Sequence, residues 1–374
     1  MIPSRLAPRL RTTSRARTLT RALLATLATA AIVAATGVTA HAEDFARIEN
    51  QLPWTRFPVD ARGEAMGLAT TVDPRGATAF WWNPAPLPEG DRLDVSYTSW
   101  ETHVDDFQWR PLAVRASRDD LTVGVLWGPF HVGPMEVRTA YEPDSGRTVE
   151  YTDHLLQLGA AWNLAPRLAG GPAGWQWTVG ANLRHVRVQF FEDDWQERTA
   201  SLWDGDLGSS LRAPLLRRGD LVLRGHATAM VRNLFRGSTT AGGGTVKLPR
   251  YYHLGVGLEL NAGTAWRGAP LVAATVSHVW RRDLEDLLAR YDTEHLGLEA
   301  TLAGLISLRA GHRTGGVVDH DGWSWGAGLQ YQSTWWRHLR ASVDYARVDL
   351  DLAMLGEITQ DHWTVSVGFD LPSR

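Results

Sequence analysis

The sequence predicts an all-β chain: a transmembrane antiparallel β-barrel of about fourteen strands with a short N-terminal hatch or plug segment. Three observations predict it. Apolar and polar residues alternate in segment after segment of about ten residues, the period of a pleated strand with one apolar face. Beyond residue 42 no apolar run reaches the roughly 18 residues that a spanning helix needs. Tryptophan is abundant, 18 in 374 residues, and much of it falls at the ends of the alternating segments.

Residues 1–42 carry Arg5, Arg9, Arg11, Arg15, Arg17 and Arg21 without an acid, then the apolar run ALLATLATAAIVAATGVTA and the small-residue site Ala40-His41-Ala42. That order reads as a secretory signal peptide cleaved before Glu43, and the lack of an Arg-Arg pair favours the Sec route. The whole chain has 38 basic and 41 acidic residues. Loss of the leader's arginines takes the balance to about −9, which disfavours nucleic acid as a partner, because phosphate binding needs a basic surface. With no cysteine present, neither a disulfide frame nor a thiolate metal site is available.

Residues 91–374 are expected to form the barrel, with strands at 91–101, 109–118, 121–130, 150–164, 175–190, 198–213, 220–233, 249–261, 270–281, 293–302, 305–313, 322–333, 338–348 and 361–371. The alternation is plain in WQWTVGANLRH, where Trp175, Trp177, Val179, Ala181 and Leu183 oppose Gln176, Thr178, Gly180, Asn182 and Arg184. It recurs in WSWGAGLQYQ, in YHLGVGLEL and in the last strand HWTVSVGFDL. Connections after even-numbered strands read as mostly tight, at Asp119, Arg217, Ala303 and Thr334. Those after odd-numbered strands read as mostly longer and often acidic, as in FEDDWQE and RRDLEDLLARYD. Lipid offers no hydrogen-bond partners, so such a sheet must close on itself, with short turns and both termini on the periplasmic side. Trp100, Trp109, Trp127, Trp162, Trp175, Trp195, Trp280, Trp323, Trp335, Trp336 and Trp363 are read as girdle residues at the headgroup level.

The segment ARGEAMGLATTVDPRGATAFWWNPAPL resembles the N-terminal signature of the PorV/PorQ proteins and their FadL-type relatives, a Gly-rich AMG element followed by an aromatic-Asn-Pro-Ala turn. The resemblance continues in order through SYTSWETHVDDF, WTVGANLRHVRV, DGDLGSSLR, LPRYYHLGVGLEL and HLGLEATLAGLISLRAGHR. It departs at Pro86, where the family has Gly, and at the C-terminal FDLPSR, where barrels commonly end on an aromatic residue. The resemblance implies that residues 43–90 fold as a hatch into the periplasmic end. Phe80, Trp81 and Trp82 would then seat it against the wall, and Asn83-Pro84 would turn the chain into the first strand. Pro84 disfavours helix at Asn83 and has no N–H, so a helix stops there.

Inward-facing polar residues include Arg184, Arg224, His226, Glu259, Glu299, Arg309, Arg340 and Asp344, with Asp94 and Asp370. Charges of both signs inside a barrel pair to fill the lumen or line a substrate path, and both readings stand. Such a lining is less apolar than a fatty-acid tunnel. No H-E-x-x-H, G-x-S-x-G or Walker motif occurs, so no catalytic residue, metal ligand or cofactor is assigned, and the chain is read as a non-enzyme. Asp319-His320-Asp321 lacks an in-register glutamate for a calcium loop. The expected setting is the bacterial outer membrane, with its lipid as the surround. Within it the chain is a channel or transporter for small, poorly soluble compounds. The alternative is a secretion-associated barrel that binds a secreted protein, which the PorV resemblance implies for type IX secretion, or a filled structural barrel with no permeant.

Overall fold

The structure is a computed structural model and describes residues 53–102, 107–136, 148–165, 174–191, 197–235, 237–241, 244–248, 250–265, 269–283, 292–315, 322–333, 339–352 and 356–372. Residues 1–42, read above as a signal segment, residues 43–52 of the expected hatch, Trp195, Trp335, Trp336 and Asp319-His320-Asp321 lie outside the described residues.

Period-two segments become seventeen strands: β1 Arg92–Thr102, β2 Phe107–Trp109, β3 Leu112–Arg118, β4 Leu121–Glu136, β5 Thr148–Asn163, β6 Gln176–Phe191, β7 Glu197–Arg218, β8 Leu221–Arg232, β9 Ser238–Ala241, β10 Gly244–Lys247, β11 Tyr251–Ala262, β12 Val272–Asp283, β13 Thr293–Leu302, β14 Ile306–Thr314, β15 Gly322–Gln332, β16 Arg340–Leu352 and β17 Gly356–Asp370. β9 and β10 make a separate hairpin. The rest run antiparallel, neighbour to neighbour, and β17 pairs with β1 from Arg92↔Asp370 to Thr102↔Gln360, closing the sheet into a 14-strand barrel. β2 and β3 are one stave, interrupted at Arg110-Pro111 because Pro111 has no N–H for the ladder. The chain recovers its bonds locally: Arg110 N donates to Pro129 O at 3.3 Å and Thr98 N to Pro111 O at 3.1 Å.

The alternation sorts inside from outside as the sequence requires. Along β13, Thr293, His295, Gly297 and Glu299 are buried while Glu294, Leu296, Leu298 and Ala300 are exposed. The outward face carries a broad apolar band, on which Leu308 is 62%, Leu329 64% and Trp323 65% exposed, with charged residues such as Glu294 toward the loop end. At one end, here the turn end, Ala303-Gly304 joins β13 to β14. Both residues have positive φ, and Leu305 N donates to Leu302 O at 2.9 Å, the geometry of a type I′ hairpin turn.

Two expectations need correction. The connections at the opposite end, the loop end, are shorter than the sequence suggests, because β4 runs on to Glu136, β16 to Leu352 and β17 begins at Gly356. Backbone pairing continues there after the hydrophobic alternation has ended. Trp100 and Trp109 are not girdle residues: both point into the barrel and are fully buried, on the same parity as Asp94 and Arg115. Trp127, Trp162, Trp323 and Trp363 do face outward.

Candidate functional site

Residues 53–90 lie inside the barrel, pressed along its inner wall. Asp60 caps the short helix Ala61–Ala65 by accepting from Gly63 N at 2.5 Å. Its other oxygen accepts from Thr78 Oγ1 and Trp82 Nε1, each at 2.6 Å, and so ties that helix to a second one, Ala79–Trp82. Asn83 ends the second helix. Its Nδ2 donates to Thr71 O (3.0 Å), Ser210 Oγ (3.0 Å) and Thr228 Oγ1 (2.6 Å), and its Oδ1 accepts from Ala85 N at 2.8 Å. One amide therefore ties two hatch segments to β7 and β8.

The wall makes room for this segment with inward glycines. Phe80 sits between Gly124 and Gly159, and its carbonyl accepts from Gln157 Nε2 and Asn182 Nδ2, both at 2.8 Å. A Cβ on Gly311 would overlap Gly67 N, and one on Gly180 would overlap Pro84 O. No other residue lets the two backbones approach so closely. Further anchors run round the circumference. Ala61 N donates to Thr364 Oγ1 at 2.8 Å, Thr98 Oγ1 to Val59 O at 2.7 Å, and Gly67 N to Ser324 Oγ at 3.1 Å.

The interior divides into two halves. Toward the turn end it is ionic. Arg62 of the hatch binds Glu299 with both Nε and Nη2, the latter at 2.8 Å, and Arg309 Nε reaches the same carboxylate at 2.7 Å. Arg309 Nη1 extends the chain to Asp344 at 2.7 Å. Asp73 pairs with Arg75 and with Arg212 at 3.1 Å, and Glu259 gathers Arg224 at 2.8 Å and His226 at 3.1 Å. Glu89 bridges Arg92 (2.8 Å) and Arg115 (2.7 Å) where the hatch enters β1. Between the hatch and the β13–β17 wall lies a cavity of about 440 Å³, lined in part by Arg62, Arg75, Glu299, Arg309, Arg340 and Asp344. Buried charges are stable in such a place only when paired, and this lattice pairs them.

The hatch carboxyls respond accordingly. Burial drives Asp73 upward, but Arg75, Arg212, His226 and Arg62 more than offset it and hold the group well below the usual carboxylate range. Glu89 is also held low, burial being outweighed by Arg92 and Arg115. Glu64 goes the other way: burial raises it even though Arg313 Nη2 donates to it at 2.9 Å.

Toward the loop end the lumen is aromatic. Trp54 stacks on Phe130 with centroids 5.5 Å apart and packs against Trp109 at 5.4 Å, while Phe57 meets Trp100 at 4.8 Å. Val132, Leu155, Val186, Val188 and Leu202 complete this core. The expectation of a lining poorer in apolar surface than a hydrophobic tunnel is corrected for this half. Where the halves meet, Trp81 lies under two arginines: Arg184 at 5.4 Å, and Arg232 at 4.3 Å. Arg184 is bound to Asp206 at 2.7 Å and Asn233 at 2.8 Å. Arg232 Nε and Nη2 find no hydrogen-bond partner among the described residues.

The structure thus joins Glu299, Arg309 and Asp344 in one chain and Arg224, His226 and Glu259 in another. Arg340 meets Asp370 at 3.5 Å, and Arg184 stands apart, paired with Asp206. Sequence reasoning passed over the hatch charges Asp60, Arg62, Asp73 and Glu89, and the aromatic nest. Strand parity was the available signal for the nest, since Trp100 shares the inward parity of Asp94.

No protein-family model matches the chain, and no curated protein does. Among solved structures, the P. putida toluene transporter TodX is similar at 14% identity over 84% of this chain and 99% of its own, with a TM-score of 0.41. The Ralstonia pickettii toluene transporter TbuX gives 11%, 84% and 98%, with a TM-score of 0.45. The CymD monoaromatic hydrocarbon channel gives 11%, 87% and 99%, with a TM-score of 0.46. None of these reaches a TM-score of 0.5, and the functional reading rests on the chain's own geometry.

Proposed function

We propose that the protein is an exported outer-membrane channel of FadL-like type, passing small, poorly soluble apolar compounds, with the segment before β1 as its gate. One observation carries this reading: a nest of aromatic rings lines the lumen toward the loop end and is closed by Trp54 and Phe57 of the same segment that occupies the turn end. Support for the membrane setting comes from the outward wall. A soluble monomer does not surround itself with exposed Leu, Val and Trp, whereas a lipid-embedded barrel requires it.

The division of the lumen suits the task. Aromatic surface receives an apolar guest without asking it to give up hydrogen bonds. Below, the guest meets a segment held by ion pairs and hydrogen bonds to glycine-lined wall. Passage requires that segment to shift. Moving it exchanges the pairs that cross to the wall, such as Arg62 with Glu299 and Asp73 with Arg212, while Asp73 keeps Arg62 and Arg75 within the segment, and the 440 Å³ cavity beside Arg62 and Arg75 gives it room.

The partner-binding alternative draws on the outer loops between β4 and β5 and between β12 and β13. Residues 137–147 and 284–291 of those loops lie outside the described residues, and no observation favours that alternative. The test is uptake of a radiolabelled monoaromatic hydrocarbon into proteoliposomes. The channel reading expects uptake well above that of protein-free vesicles, with a charged aromatic of the same size excluded. Equal uptake with and without protein would reject it.

A further inference from the structure

On the outer wall of β4–β7, the ladder places Trp127, Leu156, His185 and Trp203 in one row across four strands, with His154 and Arg187 side by side in the row nearer the loop end. His185 packs on Trp203 at 4.5 Å, and His154 stacks on Trp127 at 6.4 Å and 17°. Toward the turn end, the next row is Val125, Leu158 and Leu183, all exposed, and it ends on Gly205, which the outward ring of Phe235 covers. The order along the wall is therefore aliphatic, then indole, then cation. The amphipathic indole belongs at the boundary between hydrocarbon and polar head groups.

Charge compensation distinguishes this cluster of three basic groups. At four other basic groups on the outward face near the loop end a carboxylate stands close: Arg282 binds Asp292 at 2.5 Å, His278 faces Glu294 at 3.5 Å, Arg347 approaches Asp349 at 3.9 Å, and His131 faces Glu150 at 3.5 Å. His312, on Trp323 at 4.4 Å, is a single imidazole without one among the described residues. No carboxylate among the described residues pairs with His154, His185 or Arg187. We infer that this patch is a binding site for a phosphate-bearing lipid of the leaflet at the loop end. Its acyl chains would lie on Leu156, Leu158 and Leu183, and its phosphate would accept hydrogen bonds from Arg187 and the two imidazoles. The inference rests on the barrel standing in a membrane, as proposed above.

Native mass spectrometry of the detergent-purified barrel tests it, with dimyristoyl phosphatidic acid against dimyristoylglycerol, which has the same chains and no phosphate. The wild type is expected to retain one phosphatidic acid about tenfold more tightly than the diacylglycerol. Combined Arg187→Gln, His154→Gln and His185→Gln removes that preference, Arg187→Lys alone keeps it, and Arg282→Gln keeps it. All these side chains lie on the outer surface, and heat-modifiable gel mobility verifies that each variant is folded. Equal retention of the two lipids by the wild type, or an undiminished preference in the triple variant, overturns the inference. Flotation of the wild type with zwitterionic liposomes tests the membrane setting separately, so a barrel that floats without the phosphate preference removes this site alone.

Discussion

Asn83 donates to Thr228 Oγ1 at 2.6 Å, across 145 residues of sequence, and this contact joins the hatch to β8. The same amide serves Thr71 O and Ser210 Oγ, so more acceptors surround it than it has hydrogens, and it cannot be exchanged for a group that only accepts. Asn83→Asp is expected to cost about 2–3 kcal/mol of hatch retention, because a buried carboxylate would face the Thr71 carbonyl and a Thr228 hydroxyl whose hydrogen already goes to Ser209 O, leaving Ser210 Oγ as the one donor of the three. Limited proteolysis of residues 53–90 in the folded barrel measures this. In a cycle with Thr228→Val, the two losses are expected to be strongly non-additive.

Phe80 and the pair Gly124/Gly159 make a second reciprocal fit. Gly159→Ala places a methyl where the ring now lies and is expected to cost about 1–3 kcal/mol, the usual cost of overpacking. Phe80→Leu in the same chain should recover part of it. Urea titration of the two single variants and the double variant shows whether the clash is with this ring.

Asp73 and Glu64 predict opposite responses to pH. The folded pKa of Asp73 lies below the unfolded value of ~4, so its contribution is fully present above that value and is lost only as the pH falls through the lower, folded one. The folded pKa of Glu64 lies above its unfolded value of ~4.3, so folding is favoured while it is protonated and stability falls as rising pH ionises it. Lowering the pH from about 7 to 5 is therefore expected to leave the Asp73 contribution intact and to strengthen hatch retention through Glu64. Glu64→Gln should abolish that gain. Asp73→Asn should cost about 3 kcal/mol at neutral pH, because Arg62, Arg75 and Arg212 lose their shared anion. Retention measured across that pH range on all three proteins checks both signs.

Trp100 and Trp109 predict a separation of transport from insertion. Both line the inner nest, whereas Trp323 and Trp363 face outward. Trp109→Ala is expected to lower aromatic uptake several-fold with little change in liposome flotation. Trp323→Ala should leave uptake per inserted barrel unchanged.

How legible was all this in the sequence? Each of the fourteen expected strands has its stave, because a half-apolar pleat writes its period directly into residues such as Leu296, Leu298 and Ala300. Strand ends were less legible. Beyond Phe130 the outward position of β4 becomes His131 and the next residues, Val132 and Gly133, are both buried, so hydrophobic periodicity fades while the ladder to β5 continues past a bulge between Val132 and Met135. Polarity and parity of the lumen residues were readable, and so was the presence of both signs. Their partners were not: Arg62 meets Glu299 and Glu64 meets Arg313 across more than two hundred residues, contacts that exist only once the barrel has closed around the hatch. Trp100 was misplaced because its position at a strand end suggested a girdle, while its parity put it inside.

The hatch's role as a gate is tested most directly by locking it. The chain has no cysteine, and Ala65 and Ala346 are packed together in one buried cluster between hatch and wall, so Ala65→Cys with Ala346→Cys introduces a single reversible tether. Uptake of a monoaromatic hydrocarbon by this variant in proteoliposomes is predicted to fall to the protein-free level on oxidation and to return on reduction. Undiminished uptake through the oxidised, verified disulfide would contradict the account.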